Sequence, residues 1–82
     1  MEIDVYVGQI VLFPYNFIPS GWMACEGQLL AIGSYQVLYS LIGHQYGGDG
    51  INTFALPDLS SAAPLPGMRY CIALLGVYPA RD

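Results

Sequence analysis

The sequence predicts a small α+β domain with five or six short β-strands, one short helix at about residues 34–42, and much irregular loop. Three observations lead to this prediction. Apolar and polar residues alternate near the N-terminus, residues 34–42 show helical spacing, and turn-forming residues divide the rest into short runs. With 82 residues, the chain is predicted to form one domain, 1–82, near the lower size limit for a self-sufficient core.

The strands are predicted from short β-prone runs. Ile3, Val5 and Val7 alternate with polar neighbours, which is typical of a half-buried strand. Gly8 interrupts this run, and residues 9–13 form a second one that Pro14 ends. Residues 22–25 and 28–31 flank Glu26-Gly27, a plausible two-residue hairpin turn. Further strands are predicted at 53–55 and 69–77, the last one buried on both faces.

The predicted helix places four apolar side chains on one face: Val37, Leu38, Leu41 and Ile42. Gly33 or Ser34 can cap its beginning, and Gly43 is a natural end.

The composition points to a protein that buries surface against copies of itself. Hydrophobic residues make up 55% of the chain and charged residues only 10%, against about 25% charged in ordinary soluble domains. The chain has no lysine. A lone domain this small has too little interior for so much apolar side chain, so an apolar patch should remain outside.

Charge and hydropathy exclude two classes of partner. A net charge of −4 argues against nucleic acid, which requires clustered Lys and Arg. The longest apolar run, residues 70–77, is far shorter than the roughly 20 residues of a membrane-spanning helix. The acidic N-terminus is unlike a secretory signal peptide, so an extracellular role would require lysis, a dedicated export machine or unseen processing.

No residue pattern predicts an enzyme, a metal site or a cofactor. The segment around Asp49 lacks the Lys and Ser/Thr of a phosphate loop, and its oxygen-bearing side chains lack the spacing of a calcium loop. We therefore expect the Asp49 carboxylate to accept hydrogen bonds from nearby backbone N–H groups in a turn. His44 is the single histidine, and metal binding would need further ligands. The serines form no nucleophile elbow.

Two cysteines allow one disulfide bond. We expect Cys25 and Cys71 to be buried thiols that pack as small hydrophobic side chains. An intrachain or an interchain bridge is the alternative.

Two segments carry a family resemblance. Residues 21–30 read GWMACEGQLL, and residues 46–59 read YGGDGINTFALPDL. Together they resemble the phage tail collar domain family, which implies a structural module of tail fibres and not an enzyme. Residues 70–81 resemble the ending of that family's microcystin-dependent-protein branch. Residues 60–67 stand where members usually have a longer insertion. We also expect the domain to lack the stalk of short tail fibres, so that assembly would come from the domain itself.

The predicted function is that of a structural protein that self-assembles into a homo-oligomer, an extracellular filament or a tail-fibre-type assembly on a virion or tail-like particle. Residues 1–7 could pair with a neighbour's sheet. Tyrosines are enriched at interfaces, and two of them lie one turn apart on the predicted helix. The proposed contact residues are Ile3, Val5, Tyr6, Val7, Tyr35, Tyr39 and Tyr78.

An adhesion module is the alternative, since short tail fibres of this family attach to cell-surface glycans. In that case the ligand would bind at a loop containing Tyr46, Asp49 and Asn52.

Overall fold

The computed structural model describes residues 5–14 and 17–79, and their fold confirms the α+β class. The strands are β1 (Ile10–Phe13), β2 (Trp22–Ala24), β3 (Leu29–Ala31), β4 (Thr53–Ala55) and β5 (Arg69–Ala73). A 3-10 turn (Ile32–Ser34) leads into the helix α1 (Gln36–Ile42). Within the described ranges, neither helical segment has the length and apolar character needed to cross a bilayer.

The strands form two small antiparallel sheets. The larger has the order β1-β5-β2, with β5 at its centre, and the smaller pairs β3 with β4. Cys71, Ile72 and Ala73 of β5 are buried, as expected for a central strand covered on both faces. The register places Val11 opposite Cys71 and Leu30 opposite Phe54.

The predicted hairpin around Glu26-Gly27 is wrong. β2 pairs with β5 and β3 pairs with β4, so the two runs belong to different sheets. The residues between β2 and β3 pair instead with the segment after β4. The Leu59 N–H donates to the Cys25 carbonyl oxygen at 2.8 Å, and the Leu56 N–H donates to the Gln28 carbonyl oxygen at 3.1 Å. These longer-range partners satisfy the backbone groups that a local hairpin would have paired.

The last strand is shorter than predicted. β5 ends at Ala73, and a turn follows instead of strand through residue 77. Within that turn, Gly76 lies so close to the Val5 carbonyl oxygen that a side chain at this position would collide with it. The N-terminal segment therefore lies directly against the residues that follow β5.

Residues 5–7 run beside the C-terminal segment of the same chain. The Val7 N–H donates to the Val77 carbonyl oxygen at 3.0 Å, and the Val77 N–H donates to that of Val5 at 2.7 Å. Tyr6 forms a single parallel bridge with Val77, and Val7 is buried. The predicted strand is thus a short bridge in residues 5–7, and Ile3 lies outside the described residues.

The helix begins later than predicted, although it ends where expected. Tyr35, and not Gly33 or Ser34, occupies the N-cap position, because both of those residues are used by the preceding 3-10 turn. Gly43 is the C-cap, and its N–H donates to the Tyr39 carbonyl oxygen at 2.8 Å. Leu38 faces the core, whereas Val37 is exposed.

One core joins both sheets to the helix. Its buried members are Val7, Cys25, Leu30, Leu38, Phe54, Leu56 and Ile72. Nine partly buried hydrophobic side chains of the described residues pack around them, among them Tyr35, Tyr39 and Leu41 of the helical segment.

Both cysteines are free and buried, which confirms the prediction of two packed thiols. Burial, with a smaller contribution from Cys71, raises the pKa of Cys25 to about 11. Burial also raises the pKa of Cys71. Because the reactive species is the thiolate, both groups stay protonated and inert at neutral pH.

Candidate assembly surface

Apolar side chains are abundant on the surface. Among the described residues, eleven hydrophobic residues are buried, several of them Ala or Cys, whereas twelve large hydrophobic residues are exposed. The exposed ones are Tyr6, Ile10, Phe17, Ile18, Leu29, Val37, Tyr46, Ile51, Leu65, Leu75, Val77 and Tyr78. Where exposed apolar side chains adjoin one another in a patch, they mark interaction sites in soluble proteins.

An apolar groove of about 560 Å³ lies between the beginning of the helix and the end of β5. Its walls include Tyr35, Val37, Leu38, Leu74 and Leu75, and Gly33 lies at one side. The Leu75 side chain is 72% exposed, so this groove has an apolar rim as well as an apolar floor. None of its lining residues within the described chain carries a charge.

Residues 46–53 form a loop that hydrogen bonds hold in one shape, hereafter the braced loop. Asp49 Oδ1 accepts the N–H groups of Ile51, Asn52 and Thr53 at 2.8, 2.8 and 2.9 Å. The Asp49 N–H in turn donates to Thr53 Oγ1 at 3.2 Å. This arrangement confirms that Asp49 accepts local backbone hydrogen bonds in a turn.

The core holds the braced loop from below. The Tyr39 hydroxyl donates to the Gly50 carbonyl oxygen at 3.2 Å, and the Tyr39 ring lies 5.3 Å from that of Phe54. Gly48 packs directly on the β4 backbone: a Cβ at this position would lie 2.5 Å from Phe54 Cα. The loop is therefore attached to the most buried residue of β4 on one side and to the helix on the other.

Hydrogen bonds from the three backbone N–H groups lower the pKa of Asp49 to about 2, from an ordinary value of 3.8. Because the folded-state pKa is the lower one, the bonds stabilise the loop above about pH 4, and this contribution is lost as the pH falls through about 2. We expect an NMR titration of the Asp49 carboxyl carbon to show its midpoint near pH 2. A midpoint near pH 4 would mean that the three hydrogen bonds do not persist in solution.

A second cavity, of about 220 Å³, lies beside the segment that follows β4. Arg69 and Glu26 stand at this cavity as a part-exposed ion pair with 3.6 Å between Nη1 and Oε2. Exposed pairs of this kind contribute only about 0–1 kcal/mol. Within residues 5–14 and 17–79, no cluster of three metal-ligating side chains occurs.

The structure separates the predicted contact residues into exposed ones and ones that are at least half-buried in their own chain. Tyr6 and Tyr78 are exposed near the two chain ends, and the Tyr78 hydroxyl lies 3.1 Å from Ser40 Oγ. Tyr35 and Tyr39 are half-buried against the core, so much of each ring already serves the fold. Val7 is buried and Val5 half-buried within their own chain.

Tyr46, Asp49 and Asn52 do lie together on the braced loop, and all three are exposed. Sequence reasoning missed Ile51, which stands between them in the chain and is 79% exposed. Its position next to Asp49-Gly50 was the available signal, because an aliphatic residue inside a turn has few buried neighbours. Leu75 was also missed, since the run that contains it was interpreted as a buried strand.

Comparison with known proteins gives one match. The family model for the Phage Tail Collar Domain matches residues 8–64, which include β1 to β4, the helix, the braced loop and part of the apolar groove. No curated protein and no solved structure matches the chain.

Proposed function

The chain belongs to the phage tail collar domain family, and on that premise we propose that it is a self-assembling structural subunit of a tail-fibre-type assembly or extracellular filament. Collar domains are structural parts of phage tail fibres, and they take part in trimeric fibre assemblies. The family therefore indicates a structural, virion-associated role. The finer proposal is that copies of this chain join through their apolar surfaces.

The observation that carries the proposal is the excess of exposed apolar side chains over the buried core. The accessible surface is 5469 Å², against about 4,800 Å² expected for a compact monomer of this mass. A single protomer is thus less compact than expected for its mass, and twelve large hydrophobic side chains among its described residues are exposed. Contact with further copies would cover that surface and stabilise each protomer.

Exchange of the N-terminal segment offers a mechanism for this contact. Residues 5–7 bind residue 77 through two backbone hydrogen bonds, and the chain reaches β1 directly after Gly8. The same bonds can form between two copies if the segment leaves its own protomer, as in domain swapping. Each copy would then give its segment to a neighbour, and an open arrangement of such contacts grows into a fibre.

Deletion of residues 1–6 tests this mechanism. Val7 is retained because it is buried in the core. We expect the shortened protein to stay folded and soluble while losing its larger assemblies, because the deletion removes most of the exchanged segment, including the Val5 carbonyl oxygen that accepts the Val77 N–H. Negative-stain electron microscopy and multi-angle light scattering measure the particles, and circular dichroism reports the fold.

Deletion of residues 80–82 is the matched control, and it should leave the assemblies in place. Unchanged polymers after the deletion of residues 1–6 would contradict strand exchange. A full-length protein that stays a single protomer at high concentration would contradict self-assembly altogether.

Adhesion to cell-surface glycans is the second candidate function. The observation that favours it is the exposed Tyr46 ring on a rigid loop that also carries Asp49 and Asn52, since aromatic rings serve as platforms for sugars. A glycan array is the test. Binding that disappears in Tyr46→Ala would support adhesion, and an array without any bound glycan would speak against it.

A further inference from the structure

The apolar groove is flanked by the described part of the N-terminal segment. Leu38, which is buried, forms part of the groove floor, and Leu75 forms part of its rim. A Cβ at Gly8 would lie 3.7 Å from Leu38 Cδ1, and the Val5 carbonyl oxygen lies against Gly76, the residue after Leu75. The N-terminal segment therefore runs beside the groove, and the residues that precede Val5 start from a point next to its rim.

We propose that residues 1–4 occupy the apolar groove of their own chain, with the Ile3 side chain inserted between the beginning of the helix and Leu75. Residues 1–4 lie outside the described ranges. The contact forms within a single protomer, so it goes beyond the proposed function and does not depend on it.

The alternation of side chains directs Ile3 toward the groove. Val7 is buried in the core that also contains Leu38, Tyr6 is exposed and Val5 is half-buried. In an extended chain, every second side chain points to the same side, and each residue advances the chain by about 3.3 Å. An extended chain before Val5 thus places Ile3 on the inward side, with its Cα about 7 Å beyond that of Val5.

Charge and covalent attachment favour this occupant over a separate partner. The described residues that line the groove are uncharged, as is Ile3, whereas the acidic Glu2 and Asp4 fall on the opposite, outward side of an extended chain. A segment attached a few residues away has an effective concentration on the order of millimolar. It therefore fills the groove ahead of a free partner that has the same intrinsic affinity.

A disulfide trap tests the contact in the full-length chain. Ile3→Cys combined with Leu75→Cys should form a bond within one chain under mild oxidation, because a docked segment brings the two positions within the roughly 7 Å between Cα atoms that a disulfide requires. The two native cysteines do not interfere, since both are buried and stay protonated. Mass spectrometry of the monomer band from a non-reducing gel locates the bond.

Ile3→Cys combined with Leu65→Cys is the matched control. Leu65 is 64% exposed, close to the 72% of Leu75, but it does not line the groove. We expect the bond with the groove position to form at least about tenfold faster than the bond with this control position, because docking raises the effective concentration of one thiol at the other.

Protection of the groove rim gives a second measurement, with Leu75→Cys as the background. Deletion of residues 1–4 should raise the rate at which iodoacetamide alkylates the introduced thiol at least about threefold, because a segment that is docked most of the time leaves the thiol accessible only in the remaining fraction. Ile3→Asp should have the same effect, since a carboxylate in an uncharged groove loses its hydration without gaining a partner. Asp4→Asn changes an outward side chain and should leave the rate as it is.

Three results would overturn the proposal: a bond that forms no faster than in the control, an alkylation rate that is insensitive to the deletion, or a bond found only between chains. The last of these would favour the strand exchange of the proposed function instead. Protein that remains a single protomer and still forms the bond within its chain would contradict self-assembly and support this contact, so the two failures are distinguishable.

Discussion

Replacing Phe54 by alanine should lower the free energy of unfolding by about 3–5 kcal/mol. The side chain has no exposed surface, lies in the shared core of both sheets and the helix, and packs against the Tyr39 ring. An 82-residue domain has a total stability of about 4–12 kcal/mol, so this single change should leave much of the protein unfolded or close to its midpoint.

Urea denaturation followed by circular dichroism measures this loss. All variants should be compared at one protein concentration, because self-association adds to apparent stability. Leu65→Ala is the control, since it removes an exposed apolar side chain and should change stability by no more than about 0.5 kcal/mol. Equal midpoints for the two variants would show that Phe54 is not the centre of the core.

Replacing Gly48 by alanine is expected to cost at least about 2 kcal/mol. The residue has a φ of +90°, a conformation that residues with a Cβ rarely adopt. Its Cβ would also lie 2.5 Å from Phe54 Cα and 2.6 Å from the Thr53 carbonyl oxygen. Both are backbone atoms of β4, so the collision is relieved only if the braced loop separates from the strand.

Thermal unfolding of this variant is best compared with that of Gly33→Ala. No atom lies within 4 Å of a Cβ built at Gly33, so that change should be nearly neutral for folding. Amide hydrogen exchange adds a local measurement: in Gly48→Ala, the N–H groups of Ile51, Asn52 and Thr53 should lose protection. Retained protection together with an unchanged melting temperature would contradict the packing described for this loop.

Features set by residues close together in the chain were predictable. The helix ends at Gly43, where a backbone N–H reaches back only to Tyr39, and β1 ends just before Pro14. Asp49 accepts N–H groups two to four residues ahead of it. In each case the interacting groups are near neighbours, so the same residues that show the pattern also form the structure.

Strand pairing was less predictable. Glu26-Gly27 satisfies the local requirements of a hairpin, yet β2 and β3 pair with β5 and β4, which lie much further along the chain. Tertiary contacts also decide which side chains are exposed. Ile51 and Leu75 remain in water, whereas Tyr39 packs against the core, because of how distant segments of the chain come together. None of these follows from local spacing.

The sequence by itself determined the family, the α+β class and the turn at Asp49. Only the tertiary structure decided which strands share a sheet, and which apolar side chains stay in water. The physical reason is that hydrogen bonds within a turn are complete after a few residues, whereas burial depends on the whole set of segments that compete for one small core. Phe54 and Leu56 are thus fully buried while Ile51, three residues before Phe54 in the chain, is 79% exposed.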